Sequence, residues 1–437
     1  MINIGRETLM KRLNTPIKMF LVLVFSMVVG VILLYLVFLI PTDPIYKHVK
    51  DSIHVFEIEN TYPIMDGKRA KILDNWTDAL MLGNAAFDNT DADTLHKALN
   101  VYRPAYNDDN PTYSLIDYIN GAEVERISIY PRYWHGYQVI LKPLLFMTDY
   151  LGFRSINQIV LLTLSALILA AMYKFGQRKI MIPFLLTLLF LRPKAIAFSL
   201  QYSAVFYITL TATLVSLVWN QRLRKGQGYL FFFLILGIIT SYLDLLTYPV
   251  ITLGIPLTMW LIMQEDSFTK KKIIKIVQYS ITWALGYFGM WAEKWLAASV
   301  LLQRNIFKDA ISQAQFRVSG QISGEAFTRL EVVGRNLYYG FSEILIPSGI
   351  ILLAICLFIL WKYKMDFKTM CVHMIPYMLI CLIPFTWYMV LRNHSYIHIS
   401  FTYRALSVAV FSFLCMGAAA GDEGRRTDYK SRLHRIK

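Results

Sequence analysis

The sequence predicts an all-α polytopic membrane protein of about ten transmembrane helices, with a helical first outer loop. Three observations carry this expectation. Hydrophobic residues make up 56% of the 437-residue chain and mean hydropathy is +0.44, well above the roughly 45–50% apolar content of a soluble domain. Apolar stretches able to cross a hydrocarbon core of about 30 Å recur along the chain. Basic residues gather in alternate intervals between those stretches.

The first apolar run, residues 19–40, follows Arg6, Lys11, Arg12 and Lys18. It covers about 22 residues and no small-residue cleavage site comes after it, so it reads as an uncleaved first span. Residues 1–40 therefore form a cytoplasmic N-terminus and first helix, and residues 41–154 a polar outer loop. Within that loop, Ile72, Leu73, Trp76, Leu80 and Phe87 recur with acids between them, which predicts a helix over 70–86 lying on the membrane or on the protein. Residues 137–151 read as a juxtamembrane helix.

Further spans are expected near 155–173, 179–191, 202–219, 229–246, 248–263, 273–299, 343–361, 370–391 and 399–420. The 179–191 segment is short and contains Pro183, so a broken or tilted helix is expected there. Residues 155–420 thus form the bundle, interrupted by an outer segment over 300–342 that mixes amphipathic pieces with loops, and 421–437 form a basic tail.

Lys174, Arg178 and Lys179 mark one basic interval, and Arg222, Arg224 and Lys225 the next. Lys270, Lys271, Lys272 and Lys275 form a third, and Lys362, Lys364 and Lys368 a fourth. The positive-inside rule places these intervals and both termini in the cytoplasm of a multi-pass plasma-membrane protein. The opposite intervals collect acids, histidines and aromatics on the outer face.

A net charge of +15 would suggest nucleic acid in a soluble chain, but topology accounts for these bases, and no nucleic-acid partner is expected. Cys356, Cys371, Cys381 and Cys415 lie in or beside apolar runs without metal-ligand spacing and read as packing residues. No Walker motif, nucleotide-binding glycine fingerprint or nucleophile elbow is present, which argues against nucleotide-sugar or ATP-driven chemistry.

One span, a long outer loop with an acidic helix, an aromatic link, a juxtamembrane helix and then many spans make a specific order. Asp74, Asn75, Trp76, Thr77, Asp78 and Ala79 form its acidic motif, and Tyr133, Trp134, His135, Gly136 and Tyr137 its link. The chain resembles the GT-C superfamily of polyprenyl-phosphate-dependent glycosyltransferases, which includes protein O-mannosyltransferases and the lipid A aminoarabinose transferase. Asn75 stands where those families carry Glu, and the Pro-Pro pair of their link is missing. The resemblance implies sugar transfer from a lipid-linked donor with inversion at the anomeric carbon.

Such transfer requires a carboxylate for the acceptor hydroxyl and positive charge for the departing phosphate. Asp74 is the first choice for the carboxylate, and Asp78, one turn later, would orient it or share a cation. A solvated acidic helix face is the plainer account of the two. Glu57 and Glu59, which would share one side of an extended segment, are the rival pair. Arg132 and His135 are candidates for phosphate or sugar, against an interfacial aromatic belt.

Arg192 and Lys194 are bases on the outer side, where orientation signals do not explain them, so an anionic partner competes with snorkelling. Asp244, with Tyr248 four residues on, is expected to face a cavity or a structural ion pair. His394 and His398 suit one helical face but lack a third metal ligand. Arg404, inside the last span, has lipid-linked phosphate as its natural partner, with a salt bridge to Asp244 or Glu293 as the competing account. Glu293 and Lys294 are adjacent and point to different faces.

The sequence thus predicts a glycosyltransferase acting on the outer face, with a polyprenyl-phosphate sugar donor, a cell-envelope glycan acceptor and the bilayer as partners. Paired carboxylates permit a divalent cation without demanding one. A transporter or flippase of a lipid-linked sugar and a noncatalytic subunit of a polysaccharide machine are the alternatives.

Overall fold

The computed structural model describes residues 2–106, 109–264, 269–322, 324–342 and 367–419. Helix accounts for 76% of the structure, and the strands are two small antiparallel pairs, so the all-α expectation holds. The expected span over 343–361, Lys362, Lys364 and the tail over 421–437 lie outside the described residues.

Among the described residues four helices are long and apolar enough to cross a membrane: Asn14–Val37, Tyr150–Lys174, Leu200–Val218 and Ile399–Ala419. Against the expectation of about ten spans, the described helices show fewer that are long and apolar enough by themselves. The 179–191 segment becomes a 10-residue helix, Met181–Phe190. The 229–246 and 248–263 segments become Gly228–Leu243, 16 residues, and Ile251–Ile262, 12 residues. At 1.5 Å per residue these give about 24 and 18 Å, short of a hydrocarbon core. Pro193 and Pro249 sit at or beside these interruptions, where proline removes an amide donor and pushes the preceding residue out of the α region.

The 33-residue helix Thr269–Leu301 is long enough, but tyrosines, tryptophans and lysines dilute its hydropathy. It packs on Gly228–Leu243 through two glycines. A Cβ on Gly237 would lie 2.1 Å from the Trp283 carbonyl oxygen, and one on Gly286 2.2 Å from that of Leu234. Small residues thus bring the two backbones into contact, as in membrane helix pairs.

The outer loop folds into a helical unit with its own core of Ile45, Val49, Phe56, Leu82, Leu115 and Leu145. The helix expected over 70–86 begins only at Asn75, because Asp74 caps it, and it runs to Ala86. Every residue in it except Trp76 is buried, so it is the centre of the unit and not a surface helix. The juxtamembrane helix Gln138–Met147 lies against it: Gln138 Nε2 donates to the Met81 carbonyl at 3.1 Å and Lys142 Nζ to that of Ala85 at 2.9 Å. The Lys142 ammonium thus meets the C-terminus of the Asn75–Ala86 helix, where a cation is favoured. The outer segment forms Phe307–Val318 and Arg329–Phe341, joined by a small hairpin.

Candidate functional site

Asp74 is buried at the N-terminus of its helix, 3% exposed. Its carboxylate accepts the Thr77 amide at 3.1 Å and the Thr77 hydroxyl at 2.9 Å. Burial pushes its pKa up to about 7, with the Thr77 bonds pulling down and the Asp78 charge pushing up. Each oxygen takes one bond, so acceptor capacity remains. A carboxyl titrating near neutrality with free lone pairs has what a general base needs.

Asp78 has no such capacity. Its two oxygens accept from the Tyr150 hydroxyl at 2.6 Å, Ser199 Oγ at 3.1 Å and the amides of Leu200 at 2.8 Å and Gln201 at 3.0 Å. Those amides open the Leu200–Val218 helix, so a carboxylate of the outer unit occupies the positive end of a bundle helix. Burial raises its pKa, opposed by these donors and by Arg154.

The rival acids are separated, because residues 54–59 are helical rather than extended. Two residues apart on a helix, Glu57 and Glu59 point to different sides. Glu57 is exposed and accepts from Asn120 Nδ2 at 3.3 Å. Glu59 is held bidentately by Arg154 at 2.6 and 2.7 Å and accepts from Asn75 Nδ2 at 3.1 Å. Arg154 also donates to the Tyr150 hydroxyl at 3.3 Å, so it grips the first turn of the Asp74 helix through both Glu59 and Tyr150. The sequence reading missed it, although an arginine at the outer start of a span runs against the positive-inside trend.

Arg404 is fully buried. It donates to the carbonyls of Ser400 at 2.9 Å, Leu191 at 3.3 Å and Ala70 at 3.5 Å, and lies 4.2 Å over the Tyr202 ring. Among the described residues no carboxylate pairs with it, so the salt bridge to Asp244 or Glu293, the competing account of this arginine, is not formed. Tyr202 carries Arg404 over its ring and donates to the Ile72 carbonyl at 3.3 Å, two residues before Asp74, so one tyrosine links the segments of the two principal candidates.

Asp244 is not on a helical face with Tyr248, because the helix ends at Leu243 and the chain is irregular to Val250. Its carboxylate instead accepts the Thr247 amide at 3.0 Å and the Thr247 hydroxyl at 2.5 Å, while Tyr248 donates to the Tyr202 carbonyl at 2.6 Å. Lys194 pairs with Asp66 at 3.1 Å at the surface, and Arg132 with Asp309 at 3.0 Å. Lys294 is buried and donates to the Leu99 carbonyl at 3.0 Å, whereas one Glu293 oxygen is buried without a partner among the described residues.

His135 is buried with both ring nitrogens engaged, Nε2 at 2.9 Å from the Tyr130 carbonyl and Nδ1 at 2.9 Å from the Tyr137 hydroxyl. A carbonyl only accepts, so Nε2 carries the proton and Nδ1 accepts. Burial, with Lys294 nearby, lowers its pKa to about 3 and keeps it neutral. The His394 and His398 rings lie 4.8 Å apart, tilted by 47°, with Arg317 Nη1 at 2.9 Å from His398 Nε2. Burial and that guanidinium lower the His398 pKa to about 3. Among the described residues no group of three or more His, Cys, Asp or Glu is placed to hold a metal ion.

No family model, curated protein or solved structure matches this chain.

Proposed function

We propose that the chain is a glycosyltransferase that moves a sugar from a polyprenyl-phosphate donor to a cell-envelope glycan on the outer face, within about ten crossings and with both termini cytoplasmic. The observation that carries this reading is a pair of unlike groups linked by Tyr202, with Arg404 over its ring and Asp74 two residues past the Ile72 carbonyl that its hydroxyl meets. Asp74 titrates near neutrality with free acceptor capacity, and Arg404 is a buried guanidinium with no carboxylate partner among the described residues. Ionised Asp74 takes the proton of the acceptor hydroxyl as that oxygen attacks the anomeric carbon. The bond from that carbon to the phosphate oxygen breaks with inversion, the electron pair leaves on the phosphate, and Arg404 meets its charge.

Asp74→Asn should abolish transfer of labelled sugar from polyprenyl phosphate in isolated membranes while the protein stays folded. Retained activity there with loss in Glu57→Gln or Glu59→Gln moves the base to the rival acids, and activity in all three rejects the reading. Arg404→Lys should weaken donor binding and Arg404→Met remove it, since only arginine presents the planar fork. For the topology, a reporter after Asn100 should be active only outside, and one after Lys272 only inside.

Transport of a lipid-linked sugar is a second reading, favoured by the interruptions before Pro193 and over 244–250, since broken helices accompany transporter sites. Movement of the donor across vesicles without release of its sugar would decide for it.

A further inference from the structure

The outer helices Phe307–Val318 and Arg329–Phe341 both pack on the short helix Arg392–Ile397, and each of the three contributes an arginine: Arg317, Arg335 and Arg392. Among the described residues none of these arginines has a carboxylate partner. The acids of the segment do not serve them. Asp309 is taken by Arg132, and Glu325 and Glu331 are exposed and pair with none of the three.

Each guanidinium is held by neutral groups instead. Arg317 is half-buried, with Nη1 2.9 Å from His398 Nε2 and 3.5 Å from His394 Nδ1. A guanidinium only donates, so both ring nitrogens accept and both imidazoles are neutral. Two uncharged acceptors fix the direction of the guanidinium and leave its charge uncancelled, which a carboxylate would not do. Arg392, also half-buried, lies against the backbone of Gly320, where a Cβ would come within 2.5 Å of its Nη1. Asn393 beside it ties the same turn, its Nδ2 donating to the Gln321 carbonyl at 3.0 Å. Arg335 is exposed and lies 3.8 Å over the Tyr396 ring, on which Phe327 stacks at 4.1 Å, so the two cover its two faces. Bases that snorkel to head groups extend freely into the interface; these are pinned in place.

We propose that Arg317, Arg335 and Arg392 bind a polyanionic glycan, so that the acceptor of this chain is an acidic polymer with oxyanions repeated along its length. Three guanidiniums on separate anchors suit a repeated charge, since each can take one oxyanion bidentately and the contacts add through the polymer. The cluster is tied to the segments of both principal candidates. One turn after Arg335, the Tyr339 hydroxyl donates to the Arg69 carbonyl at 2.7 Å, five residues before Asp74. Between them, Asn336 donates to the Ser395 carbonyl at 3.0 Å and accepts the Thr402 hydroxyl at 2.9 Å, two residues before Arg404. The inference rests on the sugar-transfer reading only in calling the polymer an acceptor. Binding is measured without donor, so either can fail alone.

The test uses the full chain in phosphatidylcholine nanodiscs, with fluorescent oligogalacturonate as probe. The probe should bind, and bind less as salt rises, while dextran of the same length should not. Arg317→Gln should weaken binding about tenfold, and the exposed Arg335→Gln about two- to threefold. The deciding pair is at His398. His398→Asp sets a carboxylate beside Arg317 and should weaken binding as much as Arg317→Gln, whereas His398→Asn keeps a neutral acceptor and should bind as wild type does. Thermal unfolding checks that both variants fold, and Arg335→Gln, at the surface, carries the test if they do not. Binding of poly(glycerol phosphate) in place of oligogalacturonate assigns a phosphodiester polymer, and binding of both supports the shared chemistry. Binding of neither, equal binding of dextran, or full binding in His398→Asp or Arg335→Gln overturns the proposal. So does displacement of the probe at equal charge by dihexanoylphosphatidylglycerol, which would assign the cluster to lipid head groups.

Discussion

Asp74 and Asp244 show one local device in two regions of the molecule. Each is 3% exposed, and each accepts both the amide and the hydroxyl of the threonine three residues on, Thr77 or Thr247. Beyond Thr77 the chain runs on as a helix; beyond Thr247 it stays irregular until Ile251. The difference lies in the next two residues. Asp78 continues the first helix and finds four donors at the mouth of a bundle helix. Tyr248 precedes Pro249, which disfavours the α region, and its hydroxyl goes to the Tyr202 carbonyl. A capping aspartate therefore marks where a helix can start, and the residues just past its threonine decide whether one does.

The largest test of this contrast is Asp78→Asn. An amide sets NH₂ against donors that now face an oxygen, and the variant should lose about 3 kcal/mol and melt lower, with the outer unit loosened from the bundle. Thermal unfolding in detergent checks it, and an unchanged melting point would remove the tie that distinguishes the two regions. Next in size are Thr77→Val and Thr247→Val. Each removes a hydroxyl donor from a capped carboxylate and should cost about 1–2 kcal/mol. Only Thr77→Val should shorten a helix, seen as faster hydrogen exchange over residues 75–79.

A further test is a pH dependence. A carboxyl raised in the folded state to about 7 from its ordinary 3.8 binds a proton more tightly folded than unfolded. The stability it contributes is complete below about pH 4 and is lost as pH rises through 7. Asp74→Asn should flatten that slope, unfolding at nearly the wild-type temperature at pH 5 and above it at pH 8. An unchanged slope would mean that Asp74 is not the carboxyl titrating there.

Much of this was legible from the order of residues. The first span, the large outer unit, the juxtamembrane helix and the outer helices near 307–341 all arise from apolar spacing, which a chain reports locally. Asp74 was legible as a candidate from the resemblance of residues 74–79 to an acidic motif, although its place as the cap of the helix was not, since that helix was expected to start at residue 70. Other features were not legible, for reasons of distance. Glu59 meets Arg154 95 positions away, and Asp78 meets Gln201 123 positions away. Residues 54–59 carry apolar and acidic residues in an order that suits a strand, yet Val55 and Phe56 are buried in the outer core from a helix.

Sequence by itself determined the solvent and part of the punctuation: apolar runs require hydrocarbon around or between helices, and prolines such as Pro193 and Pro249 mark where they are interrupted. Tertiary structure alone decided the charges. A carboxylate or guanidinium taken from water acquires its reactivity from the donors, acceptors and rings around it, and here those come from distant stretches. That is why Asp74 keeps free lone pairs while Asp78, one turn along the same helix, has none, and why Arg404 lies against a tyrosine and backbone carbonyls rather than a carboxylate.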